Sequence, residues 1–187
     1  MIVALAGGRI DARGAQRRAF PQSCVSAVYE RLEALFTREA PAALVSSAAC
    51  GADLIALEVA RTLSIRRRVV LPSEPAAFRA SSVVDRPGNW GEILDRTMIE
   101  VSNAGDLVVR RDLPAGDEGH LAANRVILDE AIALASGHAP AVAAVVVWEG
   151  PRTGADATRS FAEEARHRRI LVIEVPTVTP RKARSPR

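Results

Sequence analysis

ALVSSAACGADLIALEVARTL, residues 43–63, decides how the chain is read. ALV opens it as a short apolar run, and LIALEVARTL closes it with apolar side chains at helical spacing. Between them SSAACGAD (Ser46–Asp53) keeps its side chains small through six residues. A strand-to-helix turn needs only a few residues and sets no such limit on their size. Either another part of the chain packs tightly there, or a ligand lies against the backbone. A helix N-terminus offers free N–H groups and a partial positive charge, so a phosphate is the ligand such a junction suits.

The rest of the chain repeats the strand-then-helix unit. Apolar runs predict strands at 2–6, 43–47, 67–72, 106–110, 142–148 and 170–175. Helical periodicity predicts helices at 21–40, 52–63, 91–103, 121–136 and 157–168, the fourth ended by Gly137. Near-continuous apolar strands alternating with helices imply an α/β fold. The expected architecture is a single Rossmann-like domain over 1–176, a mostly parallel sheet with helices on both faces. The remaining residues, 177–187, read as a disordered basic tail.

Composition narrows the function. Four basic residues, Arg181, Lys182, Arg184 and Arg187, lie in the last eight positions, and without them 21 basic residues face 22 acidic ones. The body carries no basic excess, which argues against nucleic acid as a partner. Lys182 is the only lysine, which excludes a Walker-type phosphate loop and a Schiff-base enzyme. The longest apolar stretches are too short to cross a bilayer. The start of the chain shows no charged leader before an apolar region, so no signal peptide is expected. Cys24 and Cys50 make neither a disulfide framework nor a zinc pattern, and the three histidines have no metal spacing. The expectation is a cytoplasmic protein with reduced thiols, no metal and no cofactor.

In open parallel sheets ligands sit beyond the carboxyl ends of the strands, and the unusual sequence collects there. After the first strand, Gly7 and Gly8 permit close backbone approach and Arg9 can fork onto an anion. After the second come Ser46, Ser47, Cys50, Gly51 and Asp53. The serines are candidate hydroxyl donors, and Asp53 either caps the helix or takes ribose hydroxyls. Cys50 at a helix start is a weak candidate nucleophile, because a free cysteine is most often a small hydrophobe. After the third strand a long irregular segment, 78–90, carries Arg79, Asp85, Arg86 and Trp90. These either cover a base and its phosphates or staple the loop down. After the fifth strand, Glu149 is placed to hold ribose hydroxyls, and Gly150, Gly154 and Thr158 form a second small-residue junction. A polar loop with a helix cap explains Asp156 and Thr158 equally well.

Taken together, GGR (7–9), ACGAD (49–53), VLPSEPAAFR (70–79) and VVVWEGPRTGADAT (145–158) resemble the SLOG superfamily, which joins DNA-processing protein A to the Lonely Guy phosphoribohydrolases. The resemblance runs from about Ile2 to Val175. It implies a Rossmann-like fold and a nucleotide or nucleotide-derived ligand, in a sensor or accessory domain of bacterial signalling or defence. A second copy of the chain is a candidate partner. Lonely Guy enzymes carry Gly-Gly-Xaa-Gly-Thr-Xaa-Xaa-Glu at the last loop-to-helix junction. Thr158 falls on the motif's threonine, Ala157 replaces the preceding glycine and Phe161 replaces the glutamate. The resemblance therefore implies binding more than that hydrolysis. Glu149 and Asp53 remain as candidate catalytic carboxylates for an N-glycosidic hydrolase, and single-stranded DNA binding is the third alternative.

Overall fold

The computed structural model describes residues 1–16, 18–114, 116–135, 141–150 and 156–178. Six strands form one wholly parallel sheet: β1 (Ile2–Gly7), β2 (Ala43–Ser46), β3 (Arg66–Leu71), β4 (Leu107–Val109), β5 (Val142–Trp148) and β6 (Leu171–Pro176). The helices are α1 (Val25–Glu39), α2 (Ala52–Thr62), α3 (Pro75–Ser82), α4 (Trp90–Asn103), α5 (Asp117–Ala135) and α6 (Ala157–His167). A 3₁₀ turn, Gln22–Cys24, leads into α1.

The strand order is β4-β3-β2-β1-β5-β6. The chain winds outward from β1 to β4, crosses back through α5, and continues on the other side with β5 and β6. The order therefore reverses between β1 and β5, whose register runs from Ile2 opposite Val142 to Gly7 opposite Val147. Alternation along each strand divides the core into two layers. Val3, Leu5, Leu44, Val69 and Val145 face α1, α2 and α4. Ile2, Ala4, Ala6, Val45 and Val146 face α5 and α6. Both faces are covered, which is why β1, β2 and β5 read as continuous apolar runs.

Two expectations are corrected. The segment 78–90 is not irregular throughout: α3 begins at Pro75 and runs to Ser82, leaving only residues 83–89 as a connection. Proline at the first helical position and the alanines after it were the start signal. The helix exists because Phe78 is buried in the core. Second, the boundary at 176 falls one residue early. Thr177 is 1% exposed; its amide donates to the Trp148 carbonyl at 3.0 Å and its hydroxyl to the Ala19 carbonyl at 2.6 Å. The expected disorder of the tail beyond Val178 lies outside the described residues.

At the amino ends of the strands, Arg66, Arg67 and Arg68 are held by acids from three other segments. Arg66 forks onto Asp106 at 2.9 and 2.7 Å, Arg68 reaches Asp106 at 3.2 Å and Glu130 at 2.7 Å, and Arg67 reaches Glu100 at 2.7 Å. The hydrogen bond from Arg66, with help from Arg68, holds the Asp106 carboxyl below its ordinary range. A folded-state pKa below the unfolded one stabilises above the unfolded value, about 3.9, and that gain fades as pH falls through the folded value. Asp106→Ala is expected to remove about 2–3 kcal/mol, because it leaves the Arg66 guanidinium without its acceptor and Arg68 with Glu130 alone. In thermal melts at pH 7 the expected fall in Tm is roughly 5–10 °C. An unchanged Tm at pH 7 would show that the network adds nothing.

Candidate functional site

Strand-order reversal places the turn after β1 beside the turn after β5. Gly8, Ala19, Phe20, Trp148, Glu149, Asp156, Thr158 and Thr177 line a cleft there of about 40 Å³. This is room for a water, whereas small-molecule sites usually run to several hundred Å³. A ligand larger than a water would have to lie across the strand ends rather than inside a closed pocket. A larger cavity of about 340 Å³ lies at the opposite end, lined by Arg61, Ser64, Arg66, Arg67, Glu100 and Asp106 among others. The carboxyl-end cleft is the better candidate for two reasons. The distal cavity's acids are tied into the Arg66–Arg68 network, and α2 and α4 turn their carbonyl ends towards it, which disfavours an anion.

The GGR turn and the start of α2 are built on each other. The Gly8 amide donates to the Val147 carbonyl at 2.8 Å, and the Gly8 carbonyl accepts from the Ala52 amide at 3.1 Å. Arg9 and Gly51 face one another in an isolated antiparallel bridge. Gly51 has φ +106°, and a Cβ there would lie 2.7 Å from the Gly8 carbonyl oxygen and 2.9 Å from the Ile10 nitrogen. At Gly7 a Cβ would fall 2.3 Å from that of Ala52. The Cys50 amide is likewise bonded, to the Ser82 carbonyl at 3.1 Å. The small side chains at 7, 51 and 52 are thus accounted for by chain packing against chain.

Other expected site residues also have structural work. Ser46 is fully buried and donates its hydroxyl to the Leu5 carbonyl at 3.1 Å. Arg79 forks onto Asp95 at 2.9 and 3.1 Å, joining α3 to α4. Trp90 is buried and its Nε1 donates to the Pro87 carbonyl at 2.8 Å, so it staples the 83–89 connection. Burial pushes the Cys50 thiol up in spite of Arg9 beside it, the opposite of what a nucleophilic thiolate requires. At the last junction Asp156 caps α6, accepting from the Thr158 and Arg159 amides at 3.0 and 3.4 Å. Phe161 is fully buried in the core. Gly154 lies outside the described residues.

Asp53 is the most unusual group. It is 6% exposed, and burial pushes its carboxyl up to about 7. The Ser47 hydroxyl and the Ala49 and Gly7 amides lean toward it and pull the other way. The Ala49 bond is long, 3.4 Å, and Oδ1 lies buried without a hydrogen bond of ordinary geometry. Asp53 therefore gathers the 47–49 turn and the end of β1 around one carboxyl rather than capping its own helix.

Of the expected site residues, Gly8, Glu149 and Thr158 line the cleft, whereas Arg9, Ser47 and Gly150 are not among its lining. Trp148, whose Nε1 donates to Glu174 at 3.0 Å, and Thr177 join the cleft without having been expected there. Nothing in the local pattern marks Thr177, because only the folded sheet brings it to Ala19. Among the described residues no group of three His, Cys, Asp or Glu side chains is placed to hold a metal, and no helix is long and apolar enough to cross a membrane. Compared with known proteins, the chain matches no family model, and no curated protein or solved structure is significantly similar to it.

Proposed function

We propose that the carboxyl ends of β1, β2 and β5 bind a nucleotide or nucleotide-derived molecule, and that the domain acts as a sensor or accessory module of the SLOG type in bacterial signalling or defence. The observation that carries this reading is the reversal of strand order between β1 and β5, which sets the Gly7–Gly8 turn beside Trp148–Glu149–Gly150. Ligands of open α/β sheets collect at that position. Glu149, a carboxylate of the kind that accepts from ribose hydroxyls, and Gly8, which has no side chain to obstruct a ligand, both line the cleft. Phe161 in the core leaves α6 without the carboxylate that the Lonely Guy motif uses.

A second reading, cleavage of a nucleotide's N-glycosidic bond, draws on Glu149 as a carboxylate lining the cleft. Calorimetry with AMP, and chromatography for free adenine after incubation with AMP or NAD, separate the two. The expected result is micromolar binding, weakened about tenfold by Glu149→Gln, with no enzymatic release of base. Base release abolished by Glu149→Gln would establish the hydrolase instead. No binding of AMP, NAD or any co-purifying nucleotide would overturn both.

A further inference from the structure

Beyond the cleft, two arginines from distant parts of the chain converge on one carboxylate. Arg9, after β1, pairs through Nη2 with Asp85 Oδ1, and Arg86 Nε lies 3.4 Å from Asp85 Oδ2. All three side chains are partly buried, 29%, 25% and 36% exposed. The Nε atoms of both arginines are nevertheless buried without a hydrogen-bond partner. Two cations with unused donors thus share one planar anion. A carboxylate has two oxygens and one charge, whereas a phosphate offers three or four oxygens and up to two charges. The cluster is better matched to a phosphate than to the aspartate it holds.

We propose that Arg9 and Arg86 form a phosphate subsite, and that Asp85 is an internal substitute that occupies it until a phosphate displaces it. This deepens the nucleotide reading and rests on it for the identity of the ligand. Asp85 sits in the 83–89 connection between α3 and α4, beside exposed Val84, so its side chain has solvent to swing into. Arg9 is anchored by its backbone bridge to Gly51 and stays in place when Asp85 leaves. Cys50 beside Arg9 is a buried thiol and adds no competing charge. The subsite therefore connects the turn after β1 with a connection that a ligand would have to move.

The test is calorimetric titration with sodium pyrophosphate and, separately, AMP. The wild type is compared with Asp85→Asn, Asp85→Ser, Arg86→Ala, the Asp85→Asn/Arg86→Ala pair, and Glu74→Gln as a charge control at the same end of the sheet. Removing the internal competitor should tighten pyrophosphate binding about tenfold in both Asp85 variants. Glu74→Gln should leave it within about twofold, and Arg86→Ala should cancel the gain in the double variant. Equal tightening by Glu74→Gln, or a double variant that binds as tightly as Asp85→Asn, would overturn the subsite, as would unchanged or weaker binding in both Asp85 variants. AMP binding that ignores all these substitutions would also overturn it while leaving the nucleotide reading intact. The predicted pyrophosphate pattern with AMP bound no better than pyrophosphate would keep the subsite and sink the nucleotide reading.

Discussion

Gly51→Val is expected to destabilise the folded protein by about 4 kcal/mol or more, in the absence of any ligand. Two terms act together. At φ +106° a β-branched residue is held in a backbone region it rarely enters, a strain of about 1–3 kcal/mol. Its Cβ must also push away the Gly8 carbonyl and the Ile10 nitrogen, which are backbone atoms and cannot rotate aside. The displaced segment carries the Gly8–Ala52 bond and the Arg9–Gly51 bridge, so the junction of β1 with α2 opens. For a chain of this size the fall in Tm is roughly 10 °C or more. Circular dichroism melts of Gly51→Val and Gly51→Ala measure it, with the alanine variant less affected because it lacks the branch. A Gly51→Val protein melting within two degrees of the wild type would mean the turn relaxes freely. The small residues at 7, 51 and 52 let two segments of backbone meet, and a ligand is not needed to explain them.

Asp53→Asn should stabilise the protein, and more at alkaline pH than at acid. The folded carboxyl titrates at about 7 and the unfolded one near 3.9. Between these values the folded state holds a proton that the unfolded state has released, so stability falls as pH rises from about 4 to 7 and is flat above. A shift of about three units corresponds to about 4 kcal/mol above pH 7. Asparagine carries no charge to desolvate and still offers an oxygen to the Ala49 amide. Urea titrations at pH 5 and pH 8 should show a small gain at the lower pH and a gain of several kcal/mol at the higher. Equal effects at both, or a loss at pH 8, would mean that the carboxylate is well solvated or well paired in the fold. Destabilisation at pH 8 would also restore Asp53 as a residue whose charge the protein uses.

The strand–helix alternation, the covered parallel sheet and the single domain follow from the sequence, because a sheet buried on both faces requires continuous apolar strands and amphipathic helices between them. The start of α2 at Ala52 and the limits of β5 at Val142 and Trp148 are local matters of periodicity and small residues, and the structure places them as the pattern predicts. The carboxyl-end loops were legible as a group for the same local reason. Helix α3 was masked by its position in a polar stretch, where Phe78 alone signals burial and no apolar repeat extends on either side. What each loop residue does was not legible, since it depends on partners far along the chain. Ser46 answers to Leu5, Arg79 to Asp95, Arg9 to Asp85 and Thr177 to Ala19. The sequence by itself determines which residues lie in strands and helices, because that depends on neighbours a few positions away. Only the tertiary structure decides that the small residues of SSAACGAD receive the GGR turn, that β1 lies between β2 and β5, and that two arginines share Asp85. Each of these is a contact made when separate segments compete for the same space, and no short stretch of sequence contains both sides of it.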